Sequence, residues 1–212
     1  MKKQLLLILG LSVAVVSVAQ TYPEPEFANE VYLLKKEDNT LLRLEKESSK
    51  MENKMKMAGF GGAEYGYFFD GEKSPVRLNG GNGLTFVISS GKTGGSSSSN
   101  SKGDSVMRAN GMDPSMMGDM MDPKSSLALY NVASEKGQRV ILMQKSGGAL
   151  PFSSHKTKSS DKYTFSVKKV RDGYWVLVID KNLPKGEYAF SITDTAGMGA
   201  GMGLTVYAFG ID

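Results

Sequence analysis

Met112, Met116, Met117, Met120 and Met121 crowd one short stretch rich in Asp, Gly and Pro. Thioether sulfur is a soft donor that suits Cu(I), and a pliable loop can gather three sulfurs around one ion. Copper is therefore the one cofactor that residue types and spacing suggest. The same methionines also serve as adaptable apolar filler or as a soft surface for a partner. Asp113, Asp119 and Asp122 lie in the same stretch. Their spacing departs from a calcium loop, which needs Gly at its sixth position and Glu at its twelfth. Asp113-Pro114 and Asp122-Pro123 read better as turn starters. Gly91-Lys92-Thr93 fails as a phosphate loop, because the position five residues before Gly91 is Phe86.

Other chemistry is short of material. The 212 residues contain no cysteine and one histidine, His155. Thiolate zinc, iron–sulfur clusters and cysteine nucleophiles are excluded. His155 lies in the polar run Ser153-Ser154-His155-Lys156. Glu64, Asp70, Glu72 and Asp180 are carboxylates of the type that glycosidases pair, but nothing in their spacing joins any two. No catalytic residue is assigned, and the expectation is a non-enzymatic protein.

The elements that must carry any site read as short strands. Tyr163, Phe165 and Val167 alternate with polar residues, as do Leu84, Phe86 and Ile88, and Tyr188, Phe190 and Ile192. A period of two marks half-buried strands. Further strands are expected at Glu30–Lys35, Leu41–Glu45, Glu64–Phe69, Val76–Leu78, Leu127–Val132, Arg139–Gln144 and Leu204–Phe209. Tyr174–Ile179, with Trp175, is apolar on both faces and reads as a central strand. Met51, Asn53, Met55 and Met57 alternate with polar and charged residues, which favours a strand over a helix at 48–57. Asp172-Gly173 separates two strand patterns by two residues, a hairpin signal that predicts a type I′ turn with positive φ at both positions. Glu37-Asp38-Asn39 and Asp70-Gly71 are further turns. Ten to twelve strands at this spacing predict an all-β fold, a single antiparallel sandwich of Ig-like or jelly-roll type.

Leu183-Pro184-Lys185-Gly186-Glu187-Tyr188 leads into a late strand. It resembles the tyrosine corner of immunoglobulin-like sandwiches, in which a tyrosine hydroxyl bonds back to the upstream backbone. Here Leu183 directly precedes Pro184, which departs from the usual spacing. Exported Ig-like domains of Gram-negative bacteria share such an ending, most of them without assigned activity. The resemblance implies a structural role for Tyr188.

The chain's start and middle differ from the strand regions. Lys2 and Lys3, the apolar run Leu5–Val16 and the small residues Ser17-Val18-Ala19 form the pattern of a secretory signal, with cleavage expected between Ala19 and Gln20. The formal charge of +4 then falls to +2, with 24 bases against 22 acids. Such a balance gives no argument for nucleic acid. No later stretch is apolar enough for a transmembrane helix, and without cysteine no lipid-modified cysteine can anchor the chain. Residues 20–212 are expected to form one domain, with residues 91–124 as a long Gly-, Ser- and Met-rich inserted loop. Asp104-Ser105-Val106 and Asp194-Thr195-Ala196 match a short pattern of O-glycosylation acceptors.

The expectation is a secreted, periplasmic or surface β-sandwich that binds an envelope protein or glycan without catalysis. The Met-rich loop or the aromatic strand Tyr65–Phe69 is the expected site, because loops and exposed aromatics on a rigid scaffold carry binding. The alternatives are a periplasmic Cu(I)-binding protein and a small outer-membrane barrel. The barrel fits less well, since its strands should run about 9–11 residues.

Overall fold

The computed structural model describes residues 21–55, 62–90, 123–146, 158–192 and 203–212. The expected strands appear, except that Tyr163 and Phe165–Val167 fall in two separate strands of different sheets, and the fold is an all-β sandwich. The first sheet has the order β11-β12-β7-β1-β2, built from β1 (Val31–Lys35), β2 (Thr40–Arg43), β7 (Thr85–Ser89), β11 (Phe165–Arg171) and β12 (Tyr174–Ile179). The second sheet runs β3-β14-β13-β8-β9-β5-β4. Its strands are β3 (Glu45–Ser48), β4 (Lys50–Met55), β5 (Ala63–Asp70), β8 (Leu127–Glu135), β9 (Gln138–Ser146), β13 (Gly186–Ile192) and β14 (Thr205–Ile211). Two-residue strands add to it: β6 (Arg77–Leu78) lies parallel to β14, and β10 (Lys162–Tyr163) lies antiparallel to β8. One helical turn, Pro123–Ser126, leads into β8.

The second sheet curls on itself, and chain connectivity requires it. β3 and β4 lie at opposite ends of the strand order, yet only Ser49 separates them in sequence. Consecutive Cα atoms are about 3.8 Å apart, so the sheet must bend until its two ends meet. Ser49 is buried at this seam. Its N–H donates to the Leu204 carbonyl at 2.9 Å, and the Leu204 N–H donates to its Oγ at 3.0 Å. Leu44 makes the preceding transfer, from β2 in the first sheet to β3 in the second, and its side chain enters the core between the sheets. The expected strand Leu41–Glu45 is thus two strands divided at Leu44.

Strand alternation then assigns two interiors. Tyr188 and Phe190 of β13, Tyr207, Phe209 and Ile211 of β14, and Leu127 and Leu129 of β8 face the first sheet. They meet Val31, Leu33, Phe86, Ile88, Leu177 and Ile179. Phe86 lies edge-on to Phe190 with ring centroids 5.0 Å apart, a favoured aromatic geometry. The alternate residues Ala189, Val206, Ala208 and Val132 face the inside of the curl, where they meet Phe69 and Ile141. Small side chains on β13 and β14 leave room for these larger ones. At Gly66 a bulge shifts the β5–β9 register. A Cβ there would stand 2.6 Å from the Ile141 carbonyl oxygen, so the close approach demands glycine.

Two hairpin details differ from expectation or refine it. Arg171 pairs with Tyr174 across Asp172-Gly173, and only Gly173 of the two has positive φ, at 71°. The turn is therefore not type I′. A bulge between Lys169 and Arg171 adjusts the twist and register instead. Asp172 pairs with Lys169 at 2.8 Å. Lys50–Met55 is a strand, as its alternation predicted.

Candidate functional site

The curled sheet has two unlike ends. At one end the hairpin between β8 and β9 turns at Lys136-Gly137, and charged side chains close the interior. Arg139 is only 1% exposed, yet it donates to both oxygens of Glu45 at 2.6 and 2.9 Å and to the Gly71 and Asp70 carbonyls. Its guanidinium also stacks over Phe69. Arg77 pairs with Glu187 and, at 2.6 Å, with Asp212. Glu187 accepts a further hydrogen bond from the Ser74 N–H at 2.8 Å. The guanidinium crosses Gly210, where a Cβ would overlap it at 1.7 Å. These fixed partners hold the Arg77 charge firmly, raising its pKa through Asp212 first and Glu187 next.

The other end is open. A cavity of about 240 Å³ lies there, with Ile141, Leu127 and Leu204 as its apolar surface. Tyr67 of β5, Tyr130 of β8 and Ser191 of β13 line it with residues that carry hydroxyls, and Lys162 of β10 and Lys124 are its two cationic residues. Each reaches it by alternation. Tyr67 stands two residues from Phe69, Tyr130 two from Val132 and Ser191 two from Ala189, all members of the inward row. Tyr67 is half-buried. Burial pushes its phenol up, and the neighbouring Tyr65 and Tyr130 phenols add to the shift. It therefore stays a protonated donor at neutral pH. The side-chain oxygens of Tyr67, Tyr130 and Ser191 have no hydrogen-bond partner among the described residues. None of them is sealed from solvent, since no buried side-chain polar atom lacks a partner.

The open end is also where the chain's connections depart. Met55 and Gly62, Ser146 and Lys158, and Ile192 and Gly203 are the described residues on either side of three connections. The registers Met55↔Ala63↔Ser146 and Leu127↔Ile192↔Thr205 put these ends, and the start of β8, at the open side. Beside it, Met55 (66% exposed), Met143 (41%) and Tyr65 (38%) stand out among the exposed apolar side chains. The Tyr65 hydroxyl lies 3.0 Å from the Met51 sulfur.

The residues singled out in sequence are scattered. Met112, Met116, Met117, Met120, Met121, His155, Ala19 and Gln20, and both acceptor patterns, lie outside the described residues. Glu64 pairs with Lys145 at 2.5 Å, Glu72 accepts from the Gly137 N–H, and Asp180 accepts from the Ser166 hydroxyl, so these carboxylates work apart. Among the described residues no three His, Asp or Glu side chains converge to hold a metal, and no helix is long and apolar enough to cross a membrane. Trp175, the second residue of β12, packs partly buried against the sandwich core, and Tyr174 is buried on that sheet's other face. The Tyr188 hydroxyl donates to the Pro184 carbonyl at 2.8 Å, closing a corner four residues long. Of the aromatic strand, Phe68 and Phe69 are core and Tyr65 and Tyr67 reach the open end. Tyr130 and Lys162 carried no signal in the sequence. Only the alternation of Tyr130 with Leu129 hinted that it faces away from the sandwich core. Compared with known proteins, the chain matches no family model, no curated protein and no solved structure.

Proposed function

We propose that this is an exported, non-catalytic binding protein that takes an envelope protein or glycan at the open end of its curled sheet. One observation carries the reading. The cavity bearing unsatisfied hydroxyls opens at the side of the sheet where three connections leave and return. A rigid β scaffold with its ligand groups and connecting segments at one end is the usual plan of a sandwich binding module. Export rests on the signal pattern before Gln20. The outward face of β8, β13 and β14 packs on the first sheet, so this part of the curl has no lipid-facing band.

Ala128 lines the cavity beside Ser191. Ala128→Trp fills the cavity from a position that already faces open space. Wild-type protein on a resin should retain a component of envelope extract, and Ala128→Trp should lose it while keeping the wild-type unfolding midpoint. Equal retention by both proteins contradicts the assignment of the site.

A further inference from the structure

We infer that the open-end cavity accepts one sugar residue bearing a carboxylate, the terminal or exposed unit of an acidic glycan. The inference rests on the binding reading above and names its ligand class.

Size comes first. At about 240 Å³ the cavity falls below the roughly 300–1,000 Å³ that holds a drug-sized ligand. It suits one ring of a larger molecule, with the remainder outside. Polarity comes next. Tyr67, Tyr130 and Ser191 present three hydroxyls from three strands, each without a partner among the described residues. A pyranose offers hydroxyls around its rim and apolar C–H faces above and below. Ile141 and Leu204 supply apolar contact between those hydroxyls. Each phenol can give a hydrogen bond and accept another, as a polyol needs.

Charge selects the acidic class. The cavity lining contains lysine and no aspartate or glutamate. Lys162 sits on β10, which pairs with β8 at Tyr130 itself. The register Lys162↔Tyr130 thus sets an ammonium beside a phenol. Glu64, near the open end, is engaged by Lys145. A carboxylate entering between Lys162 and the phenols meets a cation and donors, and no like charge from the lining. Outside the cavity, Tyr65 gives the next residue of a chain an exposed ring face to stack on.

The test is calorimetric titration of the full exported chain with three probes: an oligouronide, the matching neutral oligoglucoside, and an acidic peptide. The oligouronide should bind, and the neutral sugar should bind about tenfold more weakly. Lys162→Met should weaken the oligouronide about five- to tenfold and Lys162→Arg should restore most of it, with little change for the neutral sugar. Raising salt from about 0.05 to 0.5 M should weaken the oligouronide selectively. Equal binding of both sugars, with no effect of Lys162→Met, overturns the acidic selection while leaving the cavity as a sugar site. Stronger, Lys162-dependent binding of the peptide overturns the glycan and assigns an anionic protein. If no probe binds, the sugar inference is overturned. Retention of an extract component by wild type and not by Ala128→Trp then shows whether the binding site itself stands.

Discussion

The two ends of the curled sheet are built from the same strands and do opposite things with their polar groups. At the closed end Arg139 is paired with Glu45, Arg77 is paired with Glu187 and Asp212, and Arg139 also takes two backbone carbonyls. At the open end Tyr67, Tyr130 and Ser191 have no such partners among the described residues, and the lining holds Lys124 and Lys162 with no aspartate or glutamate. Burying a charge is tolerable only when partners replace the lost water. The closed end meets that condition internally, so it fixes the fold. The open end leaves the condition to solvent or to a ligand, which is why recognition is proposed there. Two residues along a strand separate the regimes, from Phe69 to Tyr67 on β5 and from Ala189 to Ser191 on β13.

Arg139 is the most buried charge of the closed end. Arg139→Met should cost about 3–5 kcal/mol in urea unfolding, because Glu45 and two carbonyls lose their partner inside the protein. It should leave ligand binding at the open end intact in protein that remains folded. A loss under about 1 kcal/mol would show that this end is wet and replaceable.

The next effect is alkaline. Burial pushes the phenols of Tyr174 and Tyr207 from the ordinary 10 up to about 12. The unfolded chain ionises these groups first. Their contribution to stability is therefore complete below pH 10 and drains away as pH rises from 10 toward 12, by roughly 2 kcal/mol for each at the upper limit. Urea midpoints across this range should fall steeply, and Tyr174→Phe should flatten the fall. Tyr67, only half-buried, should ionise before either in an absorbance titration.

A smaller effect is expected at the seam. Ser49→Ala removes the hydroxyl that accepts from the Leu204 N–H, at a cost of about 1–2 kcal/mol. Because Leu204 also lines the cavity, this variant should weaken binding as well, which neither Arg139 nor Tyr174 should do.

What the sequence made legible follows from distance along the chain. Strand alternation is local, and it placed Phe86, Phe190, Tyr188 and the central strand at Tyr174–Ile179 correctly. The β4 strand was readable from Met51, Asn53 and Met55 for the same reason. The curl was not. It turns on Leu44 and Ser49, which carry no Gly or Pro signal, and its cause is that β3 pairs with β14, far away in sequence, while β4 pairs with its neighbour β5 at the other end of the strand order. The cavity was hidden for the same reason, since Tyr67, Tyr130, Lys162 and Ser191 meet only after closure. The turn at Asp172-Gly173 was found by position, but its type depended on a bulge that no dipeptide encodes.

The smallest stability effects should come from the open end itself. Tyr67→Phe and Lys162→Met should change unfolding free energy by less than about 0.5 kcal/mol, since neither side chain has a partner to lose among the described residues. Their effect should appear in binding alone.

Hydrogen exchange with and without the retained envelope component tests the contrast most directly. The account predicts new protection at the described ends of β5, β8, β13 and β14 around Tyr67, Tyr130, Ser191 and Leu204, with Arg77, Arg139 and Glu187 unchanged. Protection concentrated at the closed end, or on the first sheet with the open end unaffected, would contradict it.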